Sequence, residues 1–308
     1  LGAADACVDA GAYAAEGRGG PKDGALAVKY SQRACEGGEI KGCANMGVFA
    51  RDGFGMAGDN GVAKSHFSKA CDGGVAIACS NLGTLWMDEA ATAKTKTAAL
   101  VLAFIAFEKA CKGNDPMGCS NLATAYYKGD GIAKSYPSAM QFAQKACELD
   151  YANGCYTQAV MYYTGEGVTQ DIFQFRIWAT RACDKGHAQA CTNIGMLYLQ
   201  GKGGFARDMR KARQLLKQGC DGGYQRACSE LADLASAGTD LMRISHISLC
   251  LSSALWIFTS AAQAQEIGAE SATSVAETTT AAERTKDEKR RHFEDAMRLD
   301  QLGGKREA

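Results

Sequence analysis

Cysteine is the residue whose type and spacing promise chemistry in this chain. Fourteen occur in 308 residues, and twelve fall into six pairs with seven residues between the partners: Cys35/Cys43, Cys71/Cys79, Cys111/Cys119, Cys147/Cys155, Cys183/Cys191 and Cys220/Cys228. Two chemistries suit such pairs, a disulfide or a zinc site. Zinc ligands usually stand two to four residues apart and draw on histidine, yet only four histidines are present. A disulfide needs Cα atoms within about 7 Å, a distance that the closed end of an antiparallel helix hairpin supplies. The disulfide reading is therefore preferred, with zinc as its competitor. In that reading the first cysteine ends one helix and the second opens the next. Fourteen cysteines also argue for an oxidising compartment. Cys7 has no cysteine eight residues before it and is expected to be unpaired.

The other candidate chemistry is weaker. Gly53-Phe54-Gly55-Met56-Ala57-Gly58 has the Gly-x-Gly-x-x-Gly spacing of a dinucleotide loop, but such a loop must follow a strand, and here a helical pattern precedes it. No cofactor is expected. His66 and His187 have no repeated partner and read as core or surface residues. No Ser-x-x-Lys and no His-x-His occurs, so neither a serine-acylation site nor a clustered zinc hydrolase site is visible. Thirty-four Lys and Arg balance thirty-four Asp and Glu, which argues against a nucleic-acid footprint.

The elements that must hold the cysteines follow from their period. The first cysteines of successive pairs lie 36, 40, 36, 36 and 37 residues apart, too short for a domain and right for a helix–turn–helix repeat. Four residues after each second cysteine the residue is small: Gly47, Gly83, Ala123, Ala159, Gly195 and Ala232, with Gly11 after Cys7. Seven residues after it stand Trp86, Tyr126, Tyr162 and Tyr198 in the middle units. Both positions share one helix face, so a close helix contact sits beside an aromatic filler. Such a stripe reads as core before it reads as a ligand platform. A Gly-x-Gly turn follows in most units, then a second helix ending at the next pair. The residue before each first cysteine is again small: Ala34, Ala70, Ala110, Ala146, Ala182 and Gly219. The third unit departs from this. Between Trp86 and Phe107 it has no Gly-x-Gly and four extra residues.

These features together resemble the Sel1-like repeat, a relative of the tetratricopeptide repeat, whose signature is Ala/Cys-x-x-Leu-Gly in helix A, a Gly-x-Gly loop, and Lys-Ala-Cys or Arg-Ala-Cys ending helix B. The paired cysteines are similar to those of the Helicobacter cysteine-rich proteins. The resemblance spans residues 1–241. It implies an all-α solenoid of αα-hairpins wound as a right-handed superhelix, with about six repeats and a terminal half-repeat from Arg226 to Ser236. In such stacks the A helices line the concave side.

Beyond Leu241 the character changes. Met242-Arg243, an apolar run from Ile247 to Phe258 and Ala262-Gln263-Ala264 form the three parts of a secretory signal peptide. The run is too short for a stable membrane span of about 20 residues. Residues 242–264 are thus signal-peptide-like, 265–284 read as disordered linker, and 285–308 as a charged segment with helical character. Helices are expected at most over 244–262 and 286–300. A signal peptide in mid-chain implies a rotated order, in which 242–308 precede Leu1. The protein is then periplasmic or secreted.

Two functions are expected of such a chain. One is an exported scaffold that binds a protein, peptide or cell-envelope fragment in its groove. The other follows from the resemblance alone: the cysteine-rich relatives bind β-lactams with weak β-lactamase activity. A mitochondrial intermembrane-space assembly factor, a role of related arrays, is disfavoured by the secretory-type signal. No residue is assigned a catalytic or metal role. For the groove, the A-helix positions not needed for packing are candidates: Asn81, Asn121 and Asn193, two residues after their cysteines, with Thr124, Tyr127 and Tyr163 at five or eight. The recurring asparagine has two readings. It holds a peptide backbone through its donor and acceptor, or it caps the start of helix A.

Overall fold

A computed structural model describes residues 2–92 and 96–236. The segments beginning at Met242, including the signal-like run and the charged stretch, lie outside the described residues. Thirteen helices and no strand occur among the described residues. They alternate as A and B helices of six hairpins: α1 (Gly2–Glu16) and α2 (Gly24–Glu36); α3 (Ile40–Asp52) and α4 (Asn60–Asp72); α5 (Ala76–Thr92) and α6 (Lys96–Lys112); α7 (Pro116–Lys128) and α8 (Tyr136–Glu148); α9 (Ala152–Thr164) and α10 (Ile172–Asp184); α11 (Ala188–Gln200) and α12 (Met209–Asp221). A last A helix, α13, covers 225–236.

All six expected pairs are disulfides. Cys35 is bonded to Cys43, Cys71 to Cys79 and Cys111 to Cys119, with Cα atoms 4.6, 4.7 and 4.4 Å apart. Cys147 is bonded to Cys155, Cys183 to Cys191 and Cys220 to Cys228, each at 4.7 Å. Cys7 is a free thiol. The disulfides occupy every thiolate pair that zinc would have needed.

The place of the second cysteines differs from the expectation. Cys43, Cys79, Cys119, Cys155, Cys191 and Cys228 do not open their A helices; each is the fourth helical residue. The reason is the direction of the side chain. A helical Cα–Cβ bond tilts toward the N-terminus, so a sulfur reaches back to the junction from one turn inside the helix. The staple therefore binds the first turn of helix A to the last turn of helix B. Close approach at these junctions requires small residues. A Cβ on Gly118 would stand 2.4 Å from that of Ala110, and one on Gly154 2.6 Å from that of Ala146.

Within a hairpin the small residue of helix A receives a large side chain of helix B. A Cβ on Gly47 would lie 2.5 Å from the ring of Phe67, and one on Gly83 2.4 Å from Phe107. Phe67 is wholly buried and Phe107 nearly so. The aromatic stripe lies at the edge of the core: Trp86, Tyr126, Tyr162 and Tyr198 are all half-buried, and Trp86 and Tyr126 pack against the cluster that holds Phe107 and Leu122. Tyr126 stacks on Phe142 of α8 at 5.6 Å and meets Phe104 of α6 edge-on at 5.4 Å, so one ring ties two successive B helices. Most B helices open on a side chain that accepts backbone N–H groups: Asp23, Asp59, Ser135, Asp171 and Asp208.

Successive units are joined by two devices. The first glycine of each Gly-x-Gly loop ends helix A in the left-handed conformation, with φ of 62–82° at Gly53, Gly129, Gly165 and Gly201. The second glycine packs against the B helix of the preceding unit. A Cβ on Gly55 would meet the Gly24 carbonyl oxygen at 2.0 Å, and one on Gly131 that of Leu100 at 2.2 Å. The lysine of Lys-Ala-Cys is the other device. Lys145 donates to the Cys111 carbonyl at 2.8 Å and Lys69 to that of Cys35 at 3.3 Å. Each ammonium thereby satisfies a carbonyl at the end of the previous B helix and meets its negative pole.

The third unit carries more helix in place of the Gly-x-Gly loop. Its α5 and α6 have 17 residues each, where the helices of most other units have 13. One extra turn on each helix absorbs the four inserted residues and part of what is loop elsewhere. Leu100 still holds the place that receives Gly131, so the added turn leaves the stacking register intact. Among A helices α1–α3, α5–α7 and α7–α9 touch appreciably, more than α4–α6 do among B helices. The A side is the inner side of the array.

Candidate functional site

The inner face carries a cleft between α5 and α7. Its volume is about 190 Å³, and it is lined by Thr84 and Met87 of α5, Phe107 of α6, Asn121, Thr124 and Ala125 of α7, and Asp130 of the following loop. Gly83 brings Phe107 against α5 and gives the cleft an apolar floor, completed by Met87 and Ala125. Its rim is polar. Thr84 and Thr124 donate to the carbonyls of Ser80 and Ser120 at 3.0 and 3.1 Å, so their oxygens keep only acceptor capacity for a ligand. Asn121 supplies donor and acceptor, and Asp130 an anionic acceptor. The helix itself is pinned by Asp115, which caps α7 through the Gly118 N–H at 2.8 Å and accepts from Ser80 of α5.

The structure separates the six proposed groove residues. Asn121 and Thr124 come together in the cleft. Asn81 lies one unit earlier and accepts from Arg51 of α3 at 3.3 Å. Asn193 is only 3% exposed and donates to the Tyr156 hydroxyl at 2.9 Å; it joins α11 to α9 and does not offer itself to a groove ligand. The ring of Tyr163 lies 5.2 Å from Phe175 of its own B helix, and Tyr127 lies 5.6 Å from Tyr136 of α8. The reason is helical phase. A residue eight after the cysteine shares the face of the residue four after it, and that face meets helix B.

The capping reading of the asparagines is also corrected. Each is the sixth residue of its helix, beyond reach of the first turn. Where α7 and α11 are capped by side chains, the caps are Asp115 and His187. His187 accepts from the Ala190 N–H through Nδ1 at 3.1 Å and stacks on Tyr156 at 4.2 Å. Burial lowers its pKa from 6.5 to about 4, which keeps the imidazole neutral and able to accept. His66 is lowered in the same sense, by burial and then by Lys69.

Glu166 reads in the sequence as a solvated loop charge, but the structure engages it. It is partly buried and accepts from the hydroxyls of Tyr127, of Tyr136 at 2.9 Å, and of Thr164 at 3.4 Å. Burial, and then the hydrogen bond to Glu166, push the Tyr127 phenol far above its ordinary value of 10. This network fastens the α9–α10 loop to the preceding hairpin. Asp130, which also reads in the sequence as a solvated loop charge, lines the cleft. The only available signal was their position, the middle residue of Gly-x-Gly, which is Phe54 or Lys202 in other units. Among the described residues no three His, Cys, Asp or Glu converge on a point where a metal would sit. No described helix is long and apolar enough to cross a membrane. The Gly53–Gly58 motif is a repeat loop between two helices, with Gly55 pressed on Gly24.

An array of αα-hairpins with this spacing, inner-face geometry and loop chemistry is a helical repeat protein. The Sel1 repeat model matches residues 4–39, 40–75, 116–151, 154–187 and 188–224, more than half of the chain, and the chain belongs to the Sel1 repeat family. The unit left unmatched, 76–115, is the one with the lengthened helices. Among solved structures, a Sel1 repeat protein from Oxalobacter formigenes is similar at 21% identity and a TM-score of 0.64, covering 70% of this chain and 84% of that one. A protective antigen of uropathogenic Escherichia coli strains is similar at 21% identity and a TM-score of 0.62, covering 75% of this chain and 49% of that one. The chain thus spans about half of that antigen. Helicobacter pylori cysteine-rich protein B is 28% identical over 45% of this chain and 98% of its own length, with a TM-score of 0.37. No functionally curated protein matches the chain.

Proposed function

We propose that this Sel1 repeat array is a disulfide-stapled scaffold of an oxidising compartment, periplasmic or extracellular, that holds a peptide or protein segment on its inner face. The single observation that carries the reading is the α5–α7 cleft. Its apolar floor of Met87, Phe107 and Ala125 suits one aliphatic or small aromatic side chain. Asn121 and Asp130 at its rim suit the backbone or a cationic neighbour of that side chain. The six disulfides support the compartment, since such bonds persist where the thiol pool is oxidising. They also hold the face rigid, so that little ordering opposes binding.

The test is selection of peptides from a random library on the oxidised chain, repeated on Thr84→Trp, which fills the cleft from its rim. Peptides that share a short motif with one apolar residue, and that lose at least tenfold affinity for the variant while its melting is unchanged, support the reading. Peptides indifferent to Thr84→Trp remove the cleft as the site. Saturable β-lactam hydrolysis by the repurified chain, reduced by the same substitution, would replace the scaffold by an enzyme.

A further inference from the structure

The charge of this chain is balanced in total but not along its length. Residues 173–218 hold nine Lys and Arg against two Asp, a net +7, in a chain whose sum is zero. The last two hairpins as a whole, residues 152–221, add Glu166, Asp171 and Asp221, so the basic excess over them is +4. On their outer, B-helix side it surrounds apolar side chains that water would not favour. Phe173 is 63% exposed and Ile177 54%, one turn apart on α10, and Met209 at the start of α12 is 42% exposed. The segments are in contact. Arg176 donates to the Gly204 carbonyl at 3.2 Å, the Phe173 ring lies where a Cβ on Gly204 would touch it at 3.2 Å, and Cys183 Sγ meets Gln218 of α12 at 3.7 Å. Arg210 and Arg213 are exposed and make no ion pair among the described residues.

Neither feature alone would carry a partner. Helix α6 has a comparable apolar pair, Leu102 and Ile105, but no basic residue between Lys96 and Lys109. On α10 and α12 two strongly exposed apolar side chains, Phe173 and Ile177, share a surface with the exposed guanidinium groups of Arg176, Arg210 and Arg213. The shape of the surface selects the occupant. The B helices form the outer side of a curved stack, which cannot enclose a peptide but can rest on a flat sheet of charge. A lipid–water interface accepts this combination, aromatic and aliphatic groups entering at headgroup depth and cations meeting phosphates.

We infer that the outer face of α10 and α12 attaches this protein peripherally to an anionic phospholipid bilayer. Phe173 and Ile177 enter the headgroup layer, and Arg176, Arg210 and Arg213 bind lipid phosphates. This attachment leaves the inner face free and does not depend on what binds there.

The experiment is co-sedimentation of the full oxidised chain with vesicles of equal parts phosphatidylcholine and phosphatidylglycerol, beside vesicles of phosphatidylcholine alone, at low and high salt. Binding is expected to the anionic vesicles only and to weaken with salt. Two charges near an anionic surface contribute about fivefold each, so Arg210→Gln with Arg213→Gln should weaken binding by about twentyfold or more. Phe173→Ser with Ile177→Ser should weaken it about tenfold. All four residues are exposed, so circular dichroism and melting should match the parent. The tryptophan of Phe173→Trp should shift its emission to the blue on anionic vesicles and not on neutral ones. Equal binding to both vesicle types overturns the inference. So does anionic binding that neither double variant changes, because residues outside this surface would then be responsible. Polyglutamate or single-stranded nucleic acid that binds more tightly than the vesicles, and is lost in the same variants, would assign the surface to an acidic macromolecule instead.

Discussion

Replacing His187 by asparagine should remove a pH dependence that the parent chain carries. His187 caps α11 as a neutral imidazole, and asparagine preserves the acceptor that the Ala190 N–H needs. The sign follows from the folded pKa of about 4 against the ordinary 6.5. In the window between those values the unfolded chain binds a proton that the folded chain refuses. Stability is complete above 6.5 and falls as pH drops toward 4. A difference of that size corresponds to about 3 kcal/mol. The ring keeps part of its surface in water, which screens the penalty and leaves about 2 kcal/mol as the working figure. His66 contributes in the same direction but is common to both chains. Urea unfolding of parent and His187→Asn, followed by circular dichroism from pH ~7 to ~4.5, gives the two stability curves. They should lie close together at the neutral end and separate by about 2 kcal/mol at the acid end, the variant being the more stable there. Curves that stay parallel across the window would show that the folded imidazole titrates normally, and the account of His187 as a neutral cap would fail.

Three further outcomes follow from the packing. Loss of one staple by Cys71→Ser with Cys79→Ser should reduce stability by about 2.5 kcal/mol in the chain-entropy model for so short a loop, measured by urea unfolding beside peptide mapping without reduction. Gly47→Val places a branched side chain inside the Phe67 ring and should destabilise by about 1–3 kcal/mol; a melting temperature equal to that of the parent would contradict the close helix contact. In alkaline spectrophotometric titration Tyr127 should remain protonated where exposed tyrosines have ionised, since burial and Glu166 both oppose the phenolate. Glu166→Gln should bring its pKa down, and stability that fades as pH rises above ~10 in the parent should fade less in the variant.

The repeat itself was legible in one dimension because its determinants are local. Two cysteines eight residues apart, an alanine or glycine beside them, and a small residue four positions on specify a hairpin junction whatever surrounds it. All six bonds, from Cys35–Cys43 to Cys220–Cys228, formed as the spacing implied, while the exact helical start before Cys119, Cys155 or Cys191 did not show in the pattern. The first glycine of each Gly-x-Gly loop needs only its own φ, as Gly129 and Gly165 show. Family membership rests on the same local pattern, which is why the unit at 76–115, with an added turn on both helices, escapes the match.

The candidate site was legible only in part, since the fate of each side chain depends on a neighbour some 30 to 40 residues away. Asn81, Asn121 and Asn193 occupy one sequence position and reach three different environments. Arg51 stands opposite the first, the Thr84 and Met87 wall opposite the second, and Tyr156 opposite the third. Glu166 looked like a solvated charge until the hydroxyls of Tyr127 and Tyr136, 39 and 30 residues earlier, closed over it. The second loop glycines served as turn residues on paper; stacking revealed that a side chain at Gly131 would strike the backbone at Leu100. Local covalent and conformational constraints thus determined the hairpin. Which residues face a partner was decided by helix phase and by the particular side chains that each unit presents to the next.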